Sequence, residues 1–314
     1  MARFLVTRTL QALGTIYVVV TVAFLLGRLS GSPAALLLTE NATREQIDEL
    51  NTRLGFDQPL PVQYVDLMRG IFGGSVECFS SCGNLRAEFV HRLPVTVWLA
   101  LGATVLSAAL ATFLALLCVH WHGRRLDRAV LGFAAALHSV PSLVLSAVLW
   151  SVLCDGPGIF PYEGYTPLLE DPARWAWHLT LPWIAVALPF AGAYVPVLRA
   201  SMLEARSADW VRTARAKGLR ERSVVWRHML RSSLSAPVSI LGLDLSHAFG
   251  GYVLYVETIF RVPGVGALAE SGVRGLDLPA VVAMTVWLAI TVVLVSAVLD
   301  VVVRALDPRV TAGA

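Results

Sequence analysis

Long apolar runs separated by charged stretches dominate the pattern of hydrophobic and polar positions along this chain. A helix that crosses the hydrocarbon core of a bilayer needs about 20 mostly apolar residues. Runs of that length with few charges predict six membrane-spanning helices. Their ranges are Thr9–Gly27, Pro94–Trp121, Ala129–Cys154, Ala176–Leu198, Leu234–Val256 and Pro279–Val303.

The segment between the first two runs, residues 31–93, has a helical pattern of its own. Thr43 and Gln46 fit a capping box, in which each side chain bonds a free backbone N–H of the first helical turn. An apolar stripe at helical spacing follows and ends at Gly55, and a second short helix is predicted over Val62–Phe72. We expect a small helical segment outside the membrane rather than a separate enzyme domain.

Composition agrees with lipid as the main solvent. Only 15% of the residues are charged and 56% are hydrophobic, whereas soluble domains carry roughly 25% charged residues. The chain has one lysine, Lys217, which is followed by Gly218 and Leu219. A Walker A phosphate loop requires Gly-Lys-Ser/Thr, so the chain has no such loop. If ATP drives this protein, another chain hydrolyses it.

Basic residues are unevenly divided between the two sides that six spans define. One side includes both termini and holds sixteen Lys and Arg residues, nine of them in the segment 199–231. The opposite side holds eight basic and fifteen acidic residues. Because Lys and Arg accumulate on the cytoplasmic side, both termini and the segment 199–231 are predicted to be cytoplasmic.

Two of the four cysteines, Cys78 and Cys82, lie in the segment predicted to face outward. An oxidising compartment permits a disulfide between them. Two unpaired thiols and a metal pair are the alternatives, although few histidines are nearby. Cys118 and Cys154 fall within or at the ends of apolar runs, where we expect small buried hydrophobic side chains.

The segment 199–231 is the most informative stretch of the sequence. Ser207 or Asp209 is predicted to cap a short helix that runs through Lys217, and Gly218 supplies the left-handed turn that ends it. A second helix follows. This helix-turn-helix is basic but interrupted by apolar positions, which favours docking into a groove on a soluble partner. The alternative is a basic loop on anionic lipid headgroups, which does not require this layout.

Ionisable residues in the spans are candidate functional groups because a charge in lipid is costly. Asp244 and His247 are three residues apart, hence on one helical face. They are candidates for the translocation pathway, or they neutralise each other at a helix interface. His138, in the third span, fits an interhelical hydrogen bond, and Glu257 lies at the outer end of the fifth span.

Several stretches together resemble the ABC importer permeases of the dipeptide, oligopeptide and nickel branch, across nearly the whole chain. The stretch from Trp210 to Leu219 resembles the cytoplasmic coupling loop of that family, with Gly218 as the motif glycine. The general motif begins Glu-Ala-Ala, whereas this chain has Arg-Thr-Ala. Further matching stretches are Arg3-Phe4-Leu5 with Arg8, Gly55–Tyr64, Arg92–Pro94, Val256–Phe260 with Pro263-Gly264, and Leu306–Arg309.

The resemblance implies an all-α membrane protein with the type I importer fold, in which five core helices follow the first helix. It also implies a second permease subunit, two cytoplasmic ATPase subunits and an extracytoplasmic solute-binding protein as partners. ATP and Mg would be bound by the ATPases, with no cofactor, metal or catalytic centre in this chain. The residues implied to couple to the ATPase are Ala208, Asp209, Trp210, Val211, Arg212, Thr213, Ala214, Arg215, Ala216, Lys217 and Gly218.

The expected function is that of a permease subunit in an ATP-driven importer for short peptides, located in the cytoplasmic membrane in contact with lipid and not with nucleic acid. A nickel or metal-chelate importer is the nearer alternative. A proton-coupled carrier or an intramembrane enzyme is more distant, because the spans contain no Gly-x-Ser-x-Gly, no His-Glu-x-x-His and no paired catalytic carboxylates. The predicted divisions are 1–30, 31–93, a core at 94–306 that contains the coupling loop, and a cytoplasmic tail at 307–314.

Overall fold

The computed structural model describes residues 2–29, 43–53, 55–73, 76–78, 83–156, 158–234, 240–241, 244–245 and 248–306. Helices dominate this part of the chain. Up to residue 207 the helices are α1 Ala2–Leu29, α2 Arg44–Arg53, α3 Leu60–Gly73, α4 Leu85–His120, α5 Arg125–Ser139, α6 Ser142–Trp150 with a π-helical turn Ser151–Asp155, and α7 Pro172–Ser207. A two-residue antiparallel pair, β1 Glu77–Cys78 and β2 Gly83–Asn84, precedes α4.

Three short helices begin within the segment 199–231. They are α8 Asp209–Ala216, α9 Glu221–Ser223 with a π-helical turn Val224–Leu230, and α10 Arg231–Ser233. After them come a π-helical turn Ala248–Tyr252 with α11 Val253–Ile259, then α12 Val265–Arg274 and α13 Leu278–Leu306.

Three helices in the described part are long and apolar enough to cross a bilayer: α4, α7 and the Pro279–Val298 part of α13. The predicted third span is not one straight helix, because α5 and α6 are bent by 89° at the break between them. Pro141 at this break lacks the N–H of a helical hydrogen bond, which explains the bend. The pair makes a fourth span if it crosses as one broken helix, and the count of six stays a prediction.

One compact unit comprises Met1–Val97 and Val262–Leu294. Buried apolar side chains of α1, α3, α4, α12 and α13 form its core. The rings of Phe89 and Trp287 pack with centroids 5.3 Å apart. The backbone N–H of Val265 donates to the Thr96 hydroxyl at 2.9 Å, which satisfies a free donor at the start of α12.

The predicted capping box of this unit is confirmed. The Thr43 N–H donates to Gln46 Oε1 at 2.9 Å, and the Gln46 N–H donates to Thr43 Oγ1 at 3.4 Å. Gly55 has φ +69°, as expected of the residue that turns the chain after α2. The second predicted helix begins at Leu60, two residues early, because Pro61 is tolerated in a first helical turn.

The second unit comprises Trp98–Arg261 and Val295–Ala314. Its helices pack closely at two glycines, which have no side chain to hold the helices apart. A Cβ at Gly192 on α7 would lie 2.4 Å from the Ala134 carbonyl oxygen on α5, and a Cβ at Gly102 on α4 would lie 2.2 Å from the Trp183 ring. Small residues serve this purpose widely in membrane bundles.

The structure tests the predictions for two of the four cysteines. Cys118 and Cys154 are buried, as predicted. Cys78 pairs through its backbone with Gly83 in the two-stranded hairpin. Cys82 lies outside the described residues, so the disulfide between Cys78 and Cys82 stays a prediction.

Candidate functional site

The helix α8 has one buried face and one exposed face. Val211 is fully buried and Ala214 nearly so. Helical spacing places them three residues apart on one side of α8. They pack into an apolar cluster with side chains of α4, α7 and the helix that follows Gly218. Its buried members are Ala115, Val119, Leu198, Met202, Ala205, Val211, Ala214, Val224, Met229 and Leu230.

The beginning of α8 differs from the prediction that Ser207 or Asp209 caps it. The capping position is Ala208, whose extended backbone joins α7 to α8 without a side-chain hydrogen bond. Because α7 continues through Ser207, the hydroxyl of this serine donates back to the Glu204 carbonyl at 2.8 Å. Asp209 is the first residue of α8, where a carboxylate still favours the positive end of the helix dipole.

The end of α8 follows the prediction for Gly218. This residue has φ +77°, and the Leu219 N–H donates to the Ala214 carbonyl at 3.3 Å. Glycine occupies this left-handed conformation without the cost that a Cβ imposes. The chain therefore reverses sharply and the next helix starts at Glu221.

An ion pair that sequence reasoning missed spans this turn. Arg215 donates from Nε to Glu221 Oε2 at 3.1 Å and from Nη2 to Oε1 at 2.7 Å. The Arg215 guanidinium lowers the pKa of Glu221, and the carboxylate raises the pKa of Arg215. Opposite charges on either side of Gly218 are the sequence signal that could have revealed the pair.

The exposed side chains of this helix-turn-helix include large apolar and basic residues. Trp210 is 42% exposed and Leu219 is 42% exposed, while Trp226 is 53% exposed. Protein–protein interfaces are enriched in aromatic residues and in arginine. The exposed basic residues are Arg212, Lys217, Arg220, Arg222 and Arg227.

A buried ion pair, the Asp127–Arg199 brace, joins α5 to α7, the helix that leads into α8. Sequence reasoning missed it as well. The carboxylate of Asp127, on α5, is only 3% exposed. Arg199, on α7, donates to both of its oxygens at 2.8 and 2.7 Å, and the Gly123 N–H adds a third bond at 2.9 Å. Asp127 is the one acidic residue in a cluster of arginines, which is the signal that could have revealed it.

The structure describes three of the four predicted pathway residues, each in a contact or environment of its own. The Tyr194 hydroxyl on α7 donates to Asp244 Oδ2. His138 Nδ1 lies 3.2 Å from the Pro189 carbonyl oxygen, which is the predicted interhelical contact. Glu257 is fully buried in α11. His247 lies outside the described residues.

Two family models together match residues 1–312 of this chain. The N-terminal model of the membrane components of binding-protein-dependent transport systems matches residues 1–100. The model described as the inner membrane component of these systems matches residues 95–312. The chain belongs to this family of transport-system inner membrane components.

Curated members of the family match this chain over 99% of both lengths. A probable peptide ABC transporter permease, y4tP of Sinorhizobium fredii, is 31% identical. A putative peptide transport system permease of Brucella abortus is also 31% identical. The glutathione transport system permease GsiC of Escherichia coli is 29% identical.

Within this inner membrane component, the larger matched region contains every element of the candidate coupling site. It includes the buried face of α8, the Gly218 turn and the Asp127–Arg199 brace, as well as Asp244. The candidate coupling site therefore lies within residues 95–312, the region that matches the inner membrane component.

Proposed function

We propose that this chain is a permease subunit of an ATP-driven importer for short peptides. It forms half of a translocation pathway with a second permease and receives cargo from an extracytoplasmic binding protein. The peptide assignment draws on relatives named for peptide transport that match the whole chain. The relative named for glutathione transport supports it as well, since glutathione is a tripeptide.

The proposed coupling role rests on the observation that α8 has one buried face and one exposed face. Its inner face is packed on helices that enter the membrane region, while its outer face presents Trp210 and basic side chains to a partner. A force on the outer face is thereby transmitted to α4 and α7 through close-packed side chains. The partner in this proposal is a pair of ATPase subunits, which bind ATP and Mg.

Coupling requires that the ATPases bind α8 with different affinity with and without ATP. A partner that binds two conformations equally well shifts no equilibrium between them. The excess of basic residues on one side supports a cytoplasmic position for α8 and for both termini. In the same proposal the segment between α1 and α4 lies outside the membrane. Asp244, His247, His138 and Glu257 are the candidates for the pathway.

The test is uptake by proteoliposomes that contain the whole importer. Labelled trialanine should accumulate with internal ATP and not with a non-hydrolysable analogue. Dissipation of a proton gradient should leave the rate unchanged. Uptake that follows the proton gradient without nucleotide would replace this function with a proton-coupled carrier, and uptake of labelled nickel in place of trialanine would replace the cargo.

A further inference from the structure

We propose that the turn between α4 and α5 binds the headgroups of anionic phospholipids at the surface of the membrane. This basic turn comprises residues 120–128 and lies wholly within the second unit. Lipid binding here involves neither the cargo nor ATP, so it goes beyond the proposed function.

The basic turn follows directly after an apolar span. Residues 98–119, the part of α4 in the second unit, include no charged residue. At 1.5 Å per residue they extend roughly 33 Å, close to the thickness of a hydrocarbon core. Trp121 comes next but one, and tryptophan is enriched where a span meets the headgroups. We therefore place the basic turn at the membrane surface, at the predicted cytoplasmic end of α4.

The basic turn has an excess of positive charge on its surface. Arg124, Arg125 and Arg128 are exposed, and none of them pairs with a carboxylate in the part of the chain that the structure describes. The one carboxylate of the turn, Asp127, is buried and bonded through both oxygens to Arg199. Its charge is compensated inside the protein, which leaves the three exposed arginines to an external anion.

The backbone of the basic turn is held in one conformation. The Gly123 N–H donates to Asp127 Oδ2 at 2.9 Å, and the Arg124 N–H donates to the Trp121 carbonyl at 3.0 Å. Gly123 has φ +76°, which glycine adopts without strain. The Arg124 guanidinium also lies over the Trp121 ring, 5.1 Å from its centroid. A surface that is already ordered loses less entropy when a ligand binds.

Exposed apolar side chains lie on both helices that flank the basic turn. Phe113 is exposed on α4. Leu126 and Phe133 are exposed on α5, and their spacing of seven residues places them on one face of that helix. A phospholipid has an anionic headgroup and apolar acyl chains, and this surface offers contacts to both. An acidic soluble partner would use the arginines but would leave the apolar side chains in water.

The three arginines favour anionic lipids over zwitterionic ones for an electrostatic reason. A guanidinium binds a phosphate through two parallel, charge-assisted hydrogen bonds. Phosphatidylcholine also has a phosphate, but its own ammonium group cancels the charge, whereas phosphatidylglycerol keeps a net negative charge. Each Lys or Arg near a membrane surface strengthens the attraction to anionic lipid about fivefold.

Two other roles for these arginines lead to different expectations. Basic residues direct the orientation of a chain during insertion, and arginines that do only this give the folded protein no preference among lipids. Arginines that contact the ATPase subunits instead would weaken assembly when substituted, with the lipid preference unchanged.

The experiment uses the complete importer in phosphatidylcholine nanodiscs that contain a trace of one photoactivatable probe. The probe is phosphatidylglycerol or phosphatidylcholine with a diazirine in its acyl chain. After irradiation and proteolysis, mass spectrometry measures the labelling of peptides that contain Phe113 or Phe133. The yield with the phosphatidylglycerol probe, divided by the yield with the phosphatidylcholine probe, gives the preference for anionic lipid beside the basic turn.

We expect a ratio of about ten for the wild type and below about three for Arg125→Gln with Arg128→Gln. Arg125→Lys with Arg128→Lys should keep the ratio above about five, because the charge remains. The control Arg44→Gln with Arg86→Gln removes two exposed arginines from the segment predicted to face outward, and it should match the wild type. Gel filtration verifies the assembly of each complex.

A wild-type ratio near one would overturn the inference, as would an unchanged ratio in the double glutamine variant. If that variant also loses its ATPase subunits, the arginines belong to the ATPase contact. An importer that shows the expected ratios but takes up no peptide with ATP contradicts the proposed function and leaves the lipid site in place.

Discussion

At the scale of single residues, the two ion pairs near α8 have different expected weights because their burial differs. Arg199→Ala would leave the Asp127 carboxylate buried without its main partner, which typically costs about 3–5 kcal/mol. We expect a lower melting temperature of the purified permease in detergent. The double variant Asp127→Asn with Arg199→Ala should lose less than the sum of the losses in Asp127→Asn alone and Arg199→Ala alone. Additive losses in this double-mutant cycle would show that the two residues do not act as a pair.

The pair of Arg215 and Glu221 is more exposed, so its expected contribution is small. The side chain of Glu221 is 61% exposed. We therefore expect Glu221→Gln to reduce the free energy of unfolding by only about 0.5 kcal/mol at neutral pH. The control Glu204→Gln, at another exposed glutamate of the same segment, should have a smaller effect.

The pH dependence of this small contribution has a defined sign. Folding lowers the pKa of Glu221 because Arg215 stabilises its charged form. Its contribution is therefore fully present above the unfolded pKa of about 4.3 and is lost as the pH falls through the lower folded value. The melting temperatures of wild type and Glu221→Gln should converge as the pH falls through the folded pKa of Glu221, which lies below its ordinary value. A difference that grows toward acid pH would contradict this assignment.

At the scale of elements, the packing of α5 on α7 depends on one glycine. Gly192→Ala would place a methyl group 2.4 Å from the Ala134 carbonyl oxygen, so the helices must move apart. Overpacking of this kind costs about 1–3 kcal/mol. Gly132→Ala is the matched control on α5, because no atom lies within 4 Å of its Cβ. We expect a lower melting temperature for Gly192→Ala and an equal or higher one for Gly132→Ala.

Local elements could be predicted from the sequence where local chemistry determines them. The capping box at Thr43 and the left-handed turn at Gly218 depend on residues within a few positions, and both were predicted correctly. The cap of α8 was predicted wrongly, since it depends on how far α7 extends. That length is set by the packing of Met202 and Ala205 in the apolar cluster rather than by the polar residue at position 207.

At the scale of the whole molecule, hydropathy predicts where lipid replaces water but not how the chain turns within lipid. The third apolar run contains Pro141, and the bend of 89° at this residue does not appear in a hydropathy average. The brace between Asp127 and Arg199 joins residues 72 positions apart, a pairing that only the tertiary fold creates. The family was predictable because short stretches spread along the whole chain match it, and the matching family models confirm it. The coupling role of residues 208–218 stays a prediction.

We propose that the exposed face of α8 is the surface that the ATPase subunits contact. A photo-crosslinking amino acid at Thr213, on the exposed face, tests it most directly in the assembled importer. A control at Leu169, which is 97% exposed and predicted to face outward, reports contacts on the other side. We expect a crosslink to the ATPase from position 213, altered in yield by ATP, and none from position 169. An assembled complex without a crosslink from position 213, with or without ATP, would contradict it.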